Sequence, residues 1–110
     1  MSNNSQRVGF DTERALAATS FNSAFQFIGS ALTETPVILI FDNQTDVSVP
    51  ISVDGVNIWK TFAAGEALLL DLRSNHGIAS NYTIDIGTRF STNAAVGTTG
   101  SFRISSNYAR

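Results

Sequence analysis

His76 is the one histidine of this 110-residue chain, and it is the first residue to ask for chemistry. It lies in a loop between Asn75 and Gly77. A serine triad needs a nucleophile on a strained elbow with histidine and acid in reach, and no elbow motif occurs here. His76 therefore reads as a loop residue bonding locally. Asp42 and Asp46 bracket a turn and could approach calcium. One such loop falls short of the roughly six to eight oxygens that ion takes, so the pair reads as turn chemistry. Asp71 and Asp85 read as cross-strand partners of Arg73 or Arg89. Gly97 and Gly100 lack the strand, glycine loop and helix that cradle phosphate. The chain has no cysteine, which removes disulfides, thiol catalysis and cysteine-ligated zinc together. The expectation is a protein without catalysis, cofactor or metal.

Trp59 is the sharper case. It falls out of phase with Val56, Ile58 and Phe62, so it should point to the opposite face of a strand from them. Three readings are open: a second small core under the N-terminal segment, an anchor at a protein interface, or a platform for stacking a sugar. The residues expected to face a protein partner are Phe10, Leu16 and Trp59.

The elements that must position these residues are read from periodicity. Val47, Val49, Ile51 and Val53 alternate with Ser48, Pro50 and Ser52, as in a strand with one buried face. Asp54-Gly55 suits a tight type I′ hairpin turn, where both residues take positive φ. Val56, Ile58 and Phe62 mark the return strand, and Leu68, Leu70 and Leu72 the next. Pro50 donates no ladder bond, so its strand is expected at an edge or a bulge. Val37-Ile38-Leu39-Ile40-Phe41 is apolar on both faces and reads as a central strand buried on both sides, with Ile38, Ile40, Leu68 and Leu70 in the core.

Residues 1–20 are expected to form an N-terminal arm and residues 21–110 the domain. Within the arm, Phe10 to Leu16 reads either as a short helix capped by Asp11 or Thr12, or as an extended segment lying along the domain. Phe21 to Ile28 reads as a first strand, Tyr82 to Ile86 as a late one, and Phe102 with Ile104 as the last. Ser91 to Gly100 reads as a flexible loop of small residues. About seven short strands at this spacing predict an all-β, antiparallel two-sheet β-sandwich or jelly roll.

Composition narrows the partners. Hydrophobic residues make up 43% of the chain, enough for a core, whereas charged ones make up only 15%. The net charge of −2 is scattered without basic runs, which argues against nucleic acid as a partner. No apolar run approaches the roughly 20 residues that span a bilayer, so no membrane partner is expected. The first seven residues lack the apolar stretch of a signal peptide, so the product is expected in the cytoplasm until something releases it. Asn43-Gln44-Thr45 and Asn81-Tyr82-Thr83 match the glycosylation sequon, which carries no weight without secretion. A surface built from Ser, Thr and Asn suits packing against neighbours.

The order of several short motifs resembles a family of small tailed-bacteriophage virion proteins. They are Phe10-Asp11-Thr12, Ile28-Gly29 with Leu32, Pro36 and its apolar strand, and Asp42-Asn43. Ser52-Val53-Asp54-Gly55-Val56-Asn57, Ala64-Gly65 and Leu70-Asp71 follow. Gly87-Thr88-Arg89-Phe90 and the loop from Gly97 to Gly100 complete the series, which spans most of residues 10–108. Trp59-Lys60 departs from the more polar pattern of that family. The resemblance implies a non-enzymatic component of the phage particle, located in the virion after assembly in the host cytoplasm: a capsid auxiliary or decoration protein is expected, with a tail or head–tail connector component as the alternative. Its partners would be the major capsid protein or other virion proteins, together with further copies of itself in a homo-oligomer. It implies no site residues.

Overall fold

The computed structural model describes residues 8–72, 84 and 86–109. Among these described residues nine strands follow in chain order: β1 (Val8–Phe10), β2 (Arg14–Ala17), β3 (Gln26–Phe27), β4 (Ile38–Asn43), β5 (Val49–Ile51), β6 (Lys60–Phe62), β7 (Ala67–Asp71), β8 (Ser91–Thr92) and β9 (Ser101–Ala109). A single 3-10 turn, Ala18–Ser20, is the nearest thing to a helix among the described residues. All strand pairs are antiparallel. The fold is all-β, built from open antiparallel sheets.

The five-stranded sheet runs β1-β9-β4-β7, with β2 also on β9. Alternation sends Leu39, Phe41 and Asn43 of β4 to one face, and all three are buried. Register brings the matching residues beside them: Leu70 and Ser106 flank Leu39, Leu68 and Ile104 flank Phe41, and Phe102 flanks Asn43. Two further sheets are two-stranded, β3-β8 and β5-β6. Ser52 and Ser91 join them by exchanging backbone bonds of 2.8 and 2.9 Å.

The core closes on aromatic rings. Phe41 meets Phe62 at 5.6 Å in a stacked pair and Phe90 at 5.5 Å edge-on, and Phe62 meets Phe102 at 5.3 Å. Each such pair contributes about 0.5–1.5 kcal/mol beyond its buried area. Elements far apart in sequence are thereby tied to one cluster.

Several sequence expectations change. Of the two readings of Phe10 to Leu16, the extended one holds and the helical one does not, since β1 ends at Phe10 and β2 starts at Arg14. From Val8 onward the segment expected as an arm over 1–20 is part of the sheet, because β1 and β2 pair with β9 and Ala18 is buried. The strand expected over 21–28 shrinks to β3, and Phe21 instead enters the core. Ile40 is 36% exposed: β4 is central, but only its inner face is covered by the described residues. Ile38, Leu68 and Leu70 are half-buried rather than fully core.

Asp54-Gly55 does not make a two-residue hairpin. Gly55 has a φ of 79°, but Asp54 keeps a negative φ, which type I′ geometry forbids. Strand pairing stops at Ile51 and resumes at Lys60, leaving Val56 and Ile58 in a loop. The stretch expected to be flexible, Ser91 to Gly100, begins as β8 and then buries Ala94, while Gly97 donates to the Ala18 carbonyl at 2.9 Å. His76, Arg73, Tyr82 and Asp85 lie outside the described residues.

Candidate interaction surface

Residues 52–59 leave the aromatic core and return to it. Their entry is the Ser52 bridge to Ser91, and their exit is the Trp59 amide donating to the Ile51 carbonyl at 2.7 Å. Between them the chain wraps around one carboxylate. Asp54 Oδ1 accepts from the amides of Val56 (2.9 Å) and Asn57 (2.8 Å) and from the Ser52 hydroxyl (2.9 Å). Asp54 Oδ2 accepts from Asn57 Nδ2 at 3.2 Å. The Ser52 oxygen in turn accepts from the Gly55 amide at 2.8 Å and the Asp54 amide at 3.2 Å. The amides of Asn57 and Val56, then the side chains of Ser52 and Asn57, hold the Asp54 carboxyl far below the usual carboxylate range.

With its polar groups turned in on Asp54, the loop turns apolar side chains out. Val53, Val56, Ile58 and Trp59 are all exposed, Val56 to 73%. The Trp59 indole rests against Phe41 at 5.3 Å and Phe62 at 6.3 Å. It therefore belongs to the main core on one side and to the surface on the other. Large side chains held on a hydrogen-bonded frame lose little entropy on contact, as suits a protein anchor.

A second apolar surface lies across the sheet. Phe10, Asn107, Ile38 and Asp71 share one row of the five-stranded sheet, and Ser105, Ile40 and Leu69 the next. Phe10 is 76% and Leu69 57% exposed. This face is opposite to the one bearing Phe41, and hence opposite to Trp59. The Arg103–Glu13 ion pair at 3.0 Å stands on the same sheet.

Of the three residues expected to face a partner, Phe10 and Trp59 lie on these two separate surfaces. Leu16 does not, since it is half-buried against the core beside Phe102. Val53, Val56 and Ile58 were expected in or beside a hairpin and are instead the outer residues of the loop. The spacing Ser52, Asp54, Asn57 was the available signal, because an aspartate flanked by such donors collects the backbone around itself.

Polar clusters elsewhere serve the fold. Asp46 accepts from the Thr98 hydroxyl, the Thr98 amide (3.0 Å) and the Thr99 amide (3.3 Å), which pins the 97–100 loop. These bonds lower its pKa to about 2. Asp42 accepts from Gln44 Nε2 at 2.7 Å. No group of three potential metal ligands occurs among the described residues. Arg89 lies over the Phe27 ring at 3.8 Å and donates to the Gly29 carbonyl. Asn43 of the sequon is fully buried, with its amide spent on the carbonyls of Val47, Phe62 and Ala63.

No protein-family model, curated protein or solved structure matches the chain.

Proposed function

We propose that this chain is a non-enzymatic structural protein of a tailed-phage virion, which decorates or cements the capsid shell as a homo-oligomer. The observation that carries the reading is the braced loop at 52–59, with four exposed apolar side chains on a frame organised by Asp54. The order of the motifs from Phe10 to Gly100 supports the phage setting. The mechanism is mechanical. Each copy contributes a small apolar contact, and repetition over a symmetric shell multiplies weak contacts into firm attachment.

In this reading the sheets form a two-layer sandwich. The five-stranded sheet is one layer, and β3-β8 with β5-β6 the other, joined through Ser52 and Ser91. Phe41, Phe62, Phe90 and Phe102 fill the space between the layers. The loop then projects from one side and the row of Phe10 and Ile38 from the other, which lets one copy touch two neighbours.

Quantitative mass spectrometry of purified particles that carry the chain tests the proposal. A capsid protein is expected in on the order of hundreds of copies per particle, following icosahedral symmetry. A few to about a dozen copies would instead make it a tail or head–tail connector component. Absence from particles would overturn both. Glycan binding that vanishes in Trp59→Ala would move the protein to a carbohydrate-binding role.

A further inference from the structure

Asp54-Gly55 is, by its covalent chemistry, a position open to spontaneous rearrangement. Glycine has no side chain to shield its amide nitrogen from the preceding carboxyl group. In a flexible peptide that nitrogen attacks Cγ of the protonated aspartic acid. The amide proton and the acid's hydroxyl leave as water, closing a five-membered succinimide. Water then reopens the ring at either carbonyl. One route restores aspartate, and the other routes the main chain through Cγ as isoaspartate, with no net change in mass.

Both reacting groups are engaged in the folded loop. The attacking nitrogen is a donor to the Ser52 oxygen at 2.8 Å. The carboxyl group it would attack is held by the amides of Val56 and Asn57 and the hydroxyl of Ser52. Those donors favour the carboxylate, which is a far weaker electrophile than the acid. Ring closure would have to break the Ser52 contact and free Oδ1 of three donors. A single side chain, Ser52, contacts both partners of the reaction.

We infer that Asp54-Gly55 is a latent isomerisation site that the folded loop keeps closed, with Ser52 as the positioning residue that holds the two reacting groups apart. Conversion would insert a methylene into the main chain and move the carboxylate away from Val56 and Asn57. The frame under Val53, Val56, Ile58 and Trp59 would then be lost. This chemistry does not depend on the partner proposed above.

The test ages three samples side by side at neutral pH: the native protein, the same protein unfolded in urea, and a peptide of residues 48–60. Isoaspartate is read by peptide mapping and by enzymatic methylation. The native protein is expected to form it at least about tenfold more slowly than the other two, the rate equivalent of losing about one hydrogen bond. Ser52→Ala is expected to raise the native rate several-fold, with folding checked by circular dichroism. Trp59 is the only tryptophan, so isolated isoaspartate-containing protein should show red-shifted emission. Equal rates in native and urea-unfolded protein would overturn the inference without recourse to any variant. An unchanged rate in folded Ser52→Ala would remove Ser52 from it.

Discussion

The guanidinium of Arg14 lies 3.3 Å from the carboxylate of Asp11, and both side chains are almost wholly out of water. Arg14 also donates to the carbonyls of Thr12, Ser30 (2.7 Å) and Ala31 (2.7 Å). Asp11 accepts from the Thr33 hydroxyl at 2.9 Å and the Thr33 amide at 3.2 Å. One pair of side chains thus ties the start of the sheet to the 30–33 segment. A buried charge left without its partner is strongly destabilising.

Arg14→Ala is accordingly expected to lower stability by about 3–5 kcal/mol in urea denaturation, because it strands Asp11 and takes the donor from the carbonyls of Thr12, Ser30 and Ala31. Deleting residues 1–16 removes Arg14 together with β1 and most of β2. The truncated chain is expected to lose its cooperative transition, where a loose arm would have left the domain folded.

Asn43 is the polar counterpart of that network inside the core. Its Oδ1 accepts from the Thr45 amide at 3.0 Å and the Thr45 hydroxyl at 2.6 Å, while its Nδ2 serves three carbonyls. Asn43→Ala leaves several of these groups unpaired and is expected to cost about 1–3 kcal/mol. Asn43→Asp should cost more, since it replaces the donor with a buried charge. The denaturation midpoints of the two variants check the order.

The acid side of the stability curve follows from Asp46. Its folded pKa, about 2, lies below the 3.8 that is ordinary for an aspartate, so the unfolded chain binds its proton first as pH falls. Its contribution is fully present above the unfolded pKa and is lost as pH drops through about 4 to about 2. Asp11 and Asp54 are shifted in the same direction. For Asp11, burial opposes the shift, and the hydrogen bonds of Thr33 and Thr12 with the charge of Arg14 outweigh it. Asp46→Asn should flatten this acid loss in thermal melts between pH 4 and pH 2. An unaltered pH profile would mean that the Thr98 contacts contribute nothing in solution.

The fold class was legible because β5 and β9 alternate, the β4 run is apolar and rich in β-branched residues, and turn residues separate the strands. Burial was less so. Ile40 reads as core from its neighbours, but whether a sheet face is covered depends on elements distant in the chain. Arg14 sits at an inward position of β2, and its charge conceals this, since one-dimensional patterning assigns arginine to the surface. Asp54-Gly55 reads as a hairpin turn, but Ser52 and Asn57 draw it into a larger loop. That difference hid the apolar residues of the candidate surface, whereas Phe10 and Trp59 stood out by their size and phase.

Gly55 and Gly100 separate two ways in which a glycine is required. Both have positive φ, 79° and 80°. A Cβ on Gly55 would meet nothing, whereas one on Gly100 would come within 1.8 Å of the Gln44 carbonyl oxygen. Gly55→Ala is expected to cost about 1 kcal/mol from backbone conformation alone. Gly100→Ala should cost markedly more, because the 97–100 loop must also move from the Gln44 backbone. Equal thermal shifts would show that the loop yields freely.

Trp59 separates attachment from folding. Its indole covers Phe41 on one side and is 43% exposed overall, so it contributes to the core only in part. Trp59→Ala is expected to lower stability by about 1–2 kcal/mol while circular dichroism stays native-like. Val56→Ser touches a side chain that is 73% exposed and should leave stability within about 0.5 kcal/mol of the parent. If the loop is the attachment element, both variants lose binding to particles lacking the protein, despite their different effects on stability. Val56→Ser is the decisive one, because its loss of binding cannot be traced to a weakened core. Retained binding in Val56→Ser and Trp59→Ala together would remove the 52–59 loop from the interface and leave the Phe10 face as the surface to test.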